Sequence, residues 1–188
     1  MKSISKKKKY ADVLVEMLRT TPLSKIRIKD LCEYCGTDRQ NFYYYFKDKY
    51  ELIAWVFQLD IFRSVKISGG AINIKQVTAL YTIINERSYA YLKLLSDNSQ
   101  NSLCSYITDQ SQTVLRKMFK DMGYDEFNTR VAASIMINGW LGTTISWLRG
   151  EIKLSTEDIS RMQYNIIPDI IKNNIGNVDF SDSIKNLD

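Results

Sequence analysis

The stretch Gly36–Leu52, GTDRQNFYYYFKDKYEL, gathers the side chains best equipped for recognition chemistry. Arg39, Gln40 and Asn41 come first. Tyr43, Tyr44 and Tyr45 then stand in a row between Phe42 and Phe46, with Lys47 and Lys49 just after. A guanidinium pairs bidentately with guanine, and the amides of Gln and Asn pair with adenine. Tyrosine hydroxyls and lysine ammoniums donate to phosphate oxygens. The chemistry on offer is contact with double-stranded DNA, if one face of the segment is open. A helix turns about 100° per residue; with Phe42 toward the core, Phe46 falls about 40° from it and Gln40 and Tyr44 about 160° away. Phe42 and Phe46 are therefore predicted to be core. Gln40, Tyr44, Arg39 and Tyr43 are predicted to face outward, with Asn41 on the flank. Any single tyrosine can instead pack between helices.

Other chemistries lack their usual reagents. The 188 residues contain no histidine. That removes the usual general base, the commonest metal ligand and any Ser–His or Cys–His pair. The carboxylates are scattered, so the expectation is a protein that is not an enzyme and needs no cofactor. Cys32-x-x-Cys35 is half a zinc site, but a structural zinc takes four ligands, and Cys104 is the one cysteine left. A redox pair of the thioredoxin kind wants a strand–helix setting, which this pattern does not offer. No metal is expected. An odd number of cysteines fits a reducing cytoplasm, and the basic N-terminus leads into no apolar stretch of the secretory kind. No apolar run long enough to span a membrane is read from the sequence.

The charge is unevenly placed. Residues 1–53 hold 12 of the 26 Lys and Arg but 7 of the 21 Asp and Glu, and the rest holds 14 of each, so the excess of +5 lies in the first third. This suggests a small anion-binding module on a neutral body. The run Lys6 to Lys9 is either a basic arm that adds phosphate affinity or a solvated end.

The elements that would position these residues are helical. Apolar spacing predicts a first helix over 5–19, ended by Thr20-Thr21-Pro22. A short helix follows Ile26 and Ile28 to about Tyr34, Gly36 marks a turn, and a third helix runs from about Asp38 to Phe46. A fourth runs from about Lys49 to Lys66. Ser68-Gly69-Gly70 is the expected boundary between domains at 1–68 and 69–188. Beyond it, helices are predicted at roughly 74–96, 99–121, 125–149 and 155–175, with Ser155 and Asp158 as a capping box. Val77–Ile84 is β-branched enough for a strand, but the helical period continues through Tyr81, Ile84, Tyr89 and Leu92. The tail after Gly176 is expected to fray.

Short helix, glycine turn, short helix is the pattern of the helix-turn-helix. Residues 7 to about 57 resemble the N-terminal domain of the tetracycline-repressor (TetR) family. The matching pieces are I-x-I-x-D-L at Ile26–Leu31, Gly36, Asn41-Phe42-Tyr43-x-Tyr45-Phe46 and Lys49-x-Glu51-Leu52. The resemblance implies an all-α fold, with a three-helix helix-turn-helix domain followed by a helical ligand-binding and dimerisation domain. It implies that Arg39, Gln40 and Tyr44 read bases, and that Tyr43, Tyr45, Lys49 and Lys29 hold phosphates, with Asn41 on the same surface. It implies a cytoplasmic repressor released by an effector. Arg27 departs from the family's capping Thr or Ser, Tyr45 from a common His, and Asp38 from a frequent Ser. Asp38 suits that surface only if it caps the third helix.

The pattern Gly139-Trp140-Leu141-Gly142 … Trp147-Leu148-x-Gly150-Glu151 is similar to a TetR subgroup near the dihydroxyacetone-kinase operon regulators. That implies an alternative, in which a partner protein carries the signal and the regulator activates. The resemblance also implies a homodimer through the helices at about 125–149 and 155–175. The small residues Ala132, Ala133, Gly139 and Gly142 would let another helix approach. Ile159, Met162, Ile166, Ile170 and Ile171 form the apolar side of the last helix, with Pro168 bending it. Tyr81, Asn85, Tyr89, Tyr106, Gln110 and Asn138 are the candidates for lining an effector pocket.

Overall fold

The computed structural model describes residues 2–65 and 72–174. The boundary expected at Ser68-Gly69-Gly70 and the tail beyond Gly176 lie outside the described residues, as do the side chains of Ile170 and Ile171. The described residues are all-helical. The N-terminal helices are α1 (Lys2–Met17), α2 (Ile28–Cys35) and α3 (Arg39–Tyr45), with a 3-10 turn at Leu23–Lys25 before α2. Helix α4 (Lys49–Val65) connects them to a body of α5 (Ile74–Glu86), α6 (Ser88–Leu95), α7 (Leu103–Asp121), α8 (Glu126–Leu148), α9 (Thr156–Ile166) and α10 (Asp169–Asn174).

Side-chain caps start most of these helices, each giving an orphan N–H an acceptor. Asn73 accepts from Gln76, Ser102 from Ser105, Asp125 from Asn128 and Ser155 from Asp158. Leu14, Leu18, Ile26, Leu31, Phe42, Phe46, Leu52 and Trp55 pack α1 to α4 together. Tyr81, Ile84, Leu94, Ile107, Phe119, Ile137 and Trp147 form the same role in the body.

Two predicted helices are each two. The span 74–96 breaks at Arg87, which leaves helical geometry at φ −111° and ψ 26°. Neither Gly nor Pro marks the break in the sequence; a tertiary contact does. Asp60 of α4 is fully buried. Arg87 donates to both of its carboxylate oxygens at 3.0 and 2.9 Å, Tyr91 donates at 2.8 Å and Arg63 at 3.2 Å. Burial pushes the Asp60 carboxyl up, and Arg87, Tyr91 and Arg63 pull it back. The second break, between α9 and α10, falls at Ile167-Pro168, because proline has no N–H to continue the ladder. The helix predicted from 99 begins at Leu103.

The predicted apolar side of the last helix also divides. Ile159 is in the core beside buried Ser160 and Gln163, whereas Met162 and Ile166 are 52% and 67% exposed. Helix α8 behaves alike. It buries Thr129, Ala133, Ile137, Leu141, Thr144 and Trp147 and leaves Phe127, Val131 and Ile135 outside. By length and mean hydropathy alone, α8 is the one helix among the described residues that is long and apolar enough to cross a membrane, a test that the core helix of a soluble protein also passes. Polar Thr129 and Thr144 nonetheless face inward, Thr144 against Tyr81 of α5.

Removing a partner from a buried ion pair leaves an uncompensated charge and costs about 3–5 kcal/mol. Arg87→Ala, which strands the fully buried Asp60, is expected to lower the unfolding free energy by about that amount in urea denaturation.

Candidate nucleic-acid interface

The interface is built outward from Tyr10. Its ring meets Phe42 edge-on at 5.3 Å and Phe46 at 6.3 Å. Its hydroxyl lies 2.6 Å from the Thr37 hydroxyl and donates to Asn41 Oδ1 at 3.2 Å. Burial raises the Tyr10 hydroxyl above the ordinary phenol range, which keeps it a donor. One side chain of α1 thus fixes both the turn before α3 and the first turns of α3 itself. Lys9 adds a bond from its ammonium to the Cys35 carbonyl at 2.8 Å.

The turn follows from Gly36. It adopts φ 61° and ψ 42°, a left-handed conformation that a Cβ disfavours. This closes α2, with Gly36 N–H on the Glu33 carbonyl and Thr37 N–H on the Cys32 carbonyl. Asp38 then opens α3 by accepting the Asn41 N–H at 2.7 Å. The departure from the family's Ser is resolved in favour of capping.

With α3 so held, Phe42 and Phe46 are buried and Tyr43 and Tyr44 are 55% and 80% exposed. Arg39 and Gln40 are exposed beside them. These four side chains share one open face. The other sequence candidates are set back from it. Asn41 is half-buried and turned toward Tyr10. Tyr45 is half-buried with its ring 4.8 Å from that of Tyr44. Lys49 donates to the Leu23 and Ile26 carbonyls at 2.9 and 3.3 Å, which closes the 3-10 turn onto α4. An ammonium has three donors, so one remains. Lys29 is exposed on α2. Arg27 cannot accept as a cap. Instead its backbone N–H and guanidinium both donate to Asp30, whose carboxyl is held below its ordinary range by that bond.

Tyr34, 71% exposed at the end of α2, was not singled out from the sequence. The signal was available, because Leu31, Cys32 and Cys35 take the core positions of that short helix and leave Tyr34 outside. The two cysteines are buried free thiols, and burial pushes Cys35 up to about 11. No cluster of metal-ligating side chains occurs among the described residues.

The effector candidates do not converge. Tyr81 is buried with its hydroxyl 2.8 Å from that of Thr144 and its ring against Trp147. Tyr106 accepts from Gln58 of α4. Tyr89 lies under the Arg19 guanidinium at 4.3 Å. Gln110 and Asn138 are exposed. Asn85 lines an open cleft of about 440 Å³ with Ser88, Lys153 and Ser155.

The body built by α5 to α10 is matched in sequence. Residues 74–169, just over half of the chain, fit a TetR-type family model described as "Transcriptional regulator C-terminal region". An all-helical chain with this region is a transcriptional regulator. It belongs to the TetR family. No curated protein matches the chain. Among solved structures, "Dihydroxyacetone kinase operon activator DhaS" is similar in fold, with a TM-score of 0.59 at 19% identity, over 89% of this chain and 96% of that one.

Tyr10→Phe deletes the hydroxyl and leaves the ring. Losing such hydrogen bonds costs about 0.5–1.5 kcal/mol each, so the thermal midpoint is expected to fall without loss of helical circular dichroism.

Proposed function

We propose that this regulator binds a two-fold-symmetric DNA operator as a homodimer. The reading rests on the open face of α3, where Arg39, Gln40, Tyr43 and Tyr44 stand together on a helix fixed by Tyr10, Asp38 and Gly36. Arg39, Gln40 and Tyr44 read base edges; Tyr43, with Lys29 and the spare donor of Lys49, holds phosphates. Asn41 and Tyr45 support the helix more than they reach the groove. The protein works in the cytoplasm, where the DNA is.

One α3 helix spans only a few base pairs. Two-fold pairing sets two of them about 34 Å apart, one DNA turn. The exposed Phe127, Val131 and Ile135 of α8 and Met162 and Ile166 of α9 supply the apolar surface for that pairing. Their exposure is unusual beside the buried Thr129, Thr144, Ser160 and Gln163 of the same helices.

Repression released by an effector is the regulation that family membership suggests. A second reading is activation through a partner protein. It is favoured by the dispersal of the six effector candidates, and by the similarity in fold to a protein named as an operon activator.

The test is selection of bound DNA from a random pool by the purified protein at physiological salt. Recovery of a two-fold-symmetric sequence is expected. Recovery of no sequence from folded protein would favour the partner-dependent reading, and a partner would then be sought on residues 72–174. Ile135→Glu is expected to convert dimer to monomer in sedimentation and to abolish binding to the selected operator. A variant that stays dimeric would move the interface off this face of α8.

A further inference from the structure

The N-terminal turns of α1 carry a charge pattern that works against their own helix. Lys6, Lys7, Lys8 and Lys9 are consecutive, and the first turn holds no acidic residue. The N-terminal end of a helix carries partial positive charge and favours anions. Lysines three residues apart, such as Lys6 and Lys9, also repel across one face. Two of these charges have visible roles inside the chain. Lys8 pairs with Asp12 at 2.6 Å, and Lys9 donates to the Cys35 carbonyl. Lys6 is exposed.

The location gives the pattern a use. Lys9 and Tyr10 bind the end of α2 and the turn into α3. Lys6 stands one helical turn before Tyr10 on the same face, about 5.4 Å further along the axis. It therefore extends the surface that the α2–α3 turn and the start of α3 present. Asp12 and Glu16 lie on the later turns of α1, away from this end.

We infer that the first turns of α1 form a second DNA contact, in which Lys6 leads the lysine run onto backbone phosphates flanking the bases that α3 reads. The inference rests on the DNA-reading function proposed above. The contact lengthens the footprint of each half-site and adds affinity without sequence preference. Phosphates placed there would also offset the like charges that Lys6 and its neighbours bring to the positive end of α1.

The experiment uses the full chain and the DNA selected by the wild type. Each phosphate neutralised adds about 0.9 to the slope of log affinity against log salt. Lys6→Ala is expected to lower that slope by about one for each subunit bound, weaken cognate and altered operators alike, and shorten the footprint at both outer edges. The free Lys6→Ala protein is expected to unfold at the same temperature or higher. Lys75→Ala, which removes an exposed charge on α5, is expected to leave slope and footprint unchanged. If Lys6→Ala keeps the wild-type slope and footprint, or if Lys75→Ala lowers the slope equally, the contact at α1 is overturned while the function of α3 stands. If the wild type selects no DNA at all, both fall together.

Discussion

The Asp60 carboxylate is the constraint on which the joining of the two parts depends. A buried charge is tolerated only when paired and hydrogen-bonded, and its partners here come from the far side of a helix break. Arg87 and Tyr91 reach Asp60 only because α5 and α6 part between them. The same break aims α6 at the N-terminal helices. Lys93 of α6 donates to the Leu18 carbonyl at the end of α1, and Tyr89 lies under Arg19. Helix α6 therefore holds α4 on one face and the chain just after α1 on the other. Lys49, at the start of α4, holds the carbonyls that precede α2. Charged hydrogen bonds and a stacked ring thus tie α6 both to α4 and to the chain after α1. In the proposed reading, this is the route by which the body changes the spacing of two α3 helices. Occupancy of the operator then follows the difference in affinity between two arrangements.

A second constraint is the exposed apolar stripe on α8 and α9, whose buried faces also carry Thr129, Thr144, Ser160 and Gln163. Leaving Phe127, Ile135, Met162 and Ile166 in water forgoes the burial from which apolar side chains gain on folding. That burial is recovered when the outer face has a partner. The buried threonines are provided for within the chain: Thr144 donates to the Trp140 carbonyl and meets the Tyr81 hydroxyl.

Much of this was legible in the sequence. The alternation of Phe42 and Phe46 with Gln40 and Tyr44 set the two faces of α3, because a short helix with two core aromatics has only one way to sit. Gly36 and Asp38 marked the turn and the cap through local backbone chemistry, which needs no distant partner. What was not legible arose from distant contacts. The break at Arg87 follows from Asp60, and the setting back of Asn41 and Lys49 follows from Tyr10 and from the Leu23 and Ile26 carbonyls. The exposed apolar stripe of α8 was hidden because its inner face is equally apolar, so periodicity alone could not choose between them.

The central claim is that the open face of α3 reads bases. The most direct measurement is the affinity of wild type and Gln40→Ala for the selected operator and for operators altered one base pair at a time. A bidentate contact discriminates by about 1–3 kcal/mol at its own base pair. The account predicts that Gln40→Ala loses discrimination at one base pair in each half-site and keeps it elsewhere. Uniform weakening at every position, or an unchanged specificity profile, would contradict it.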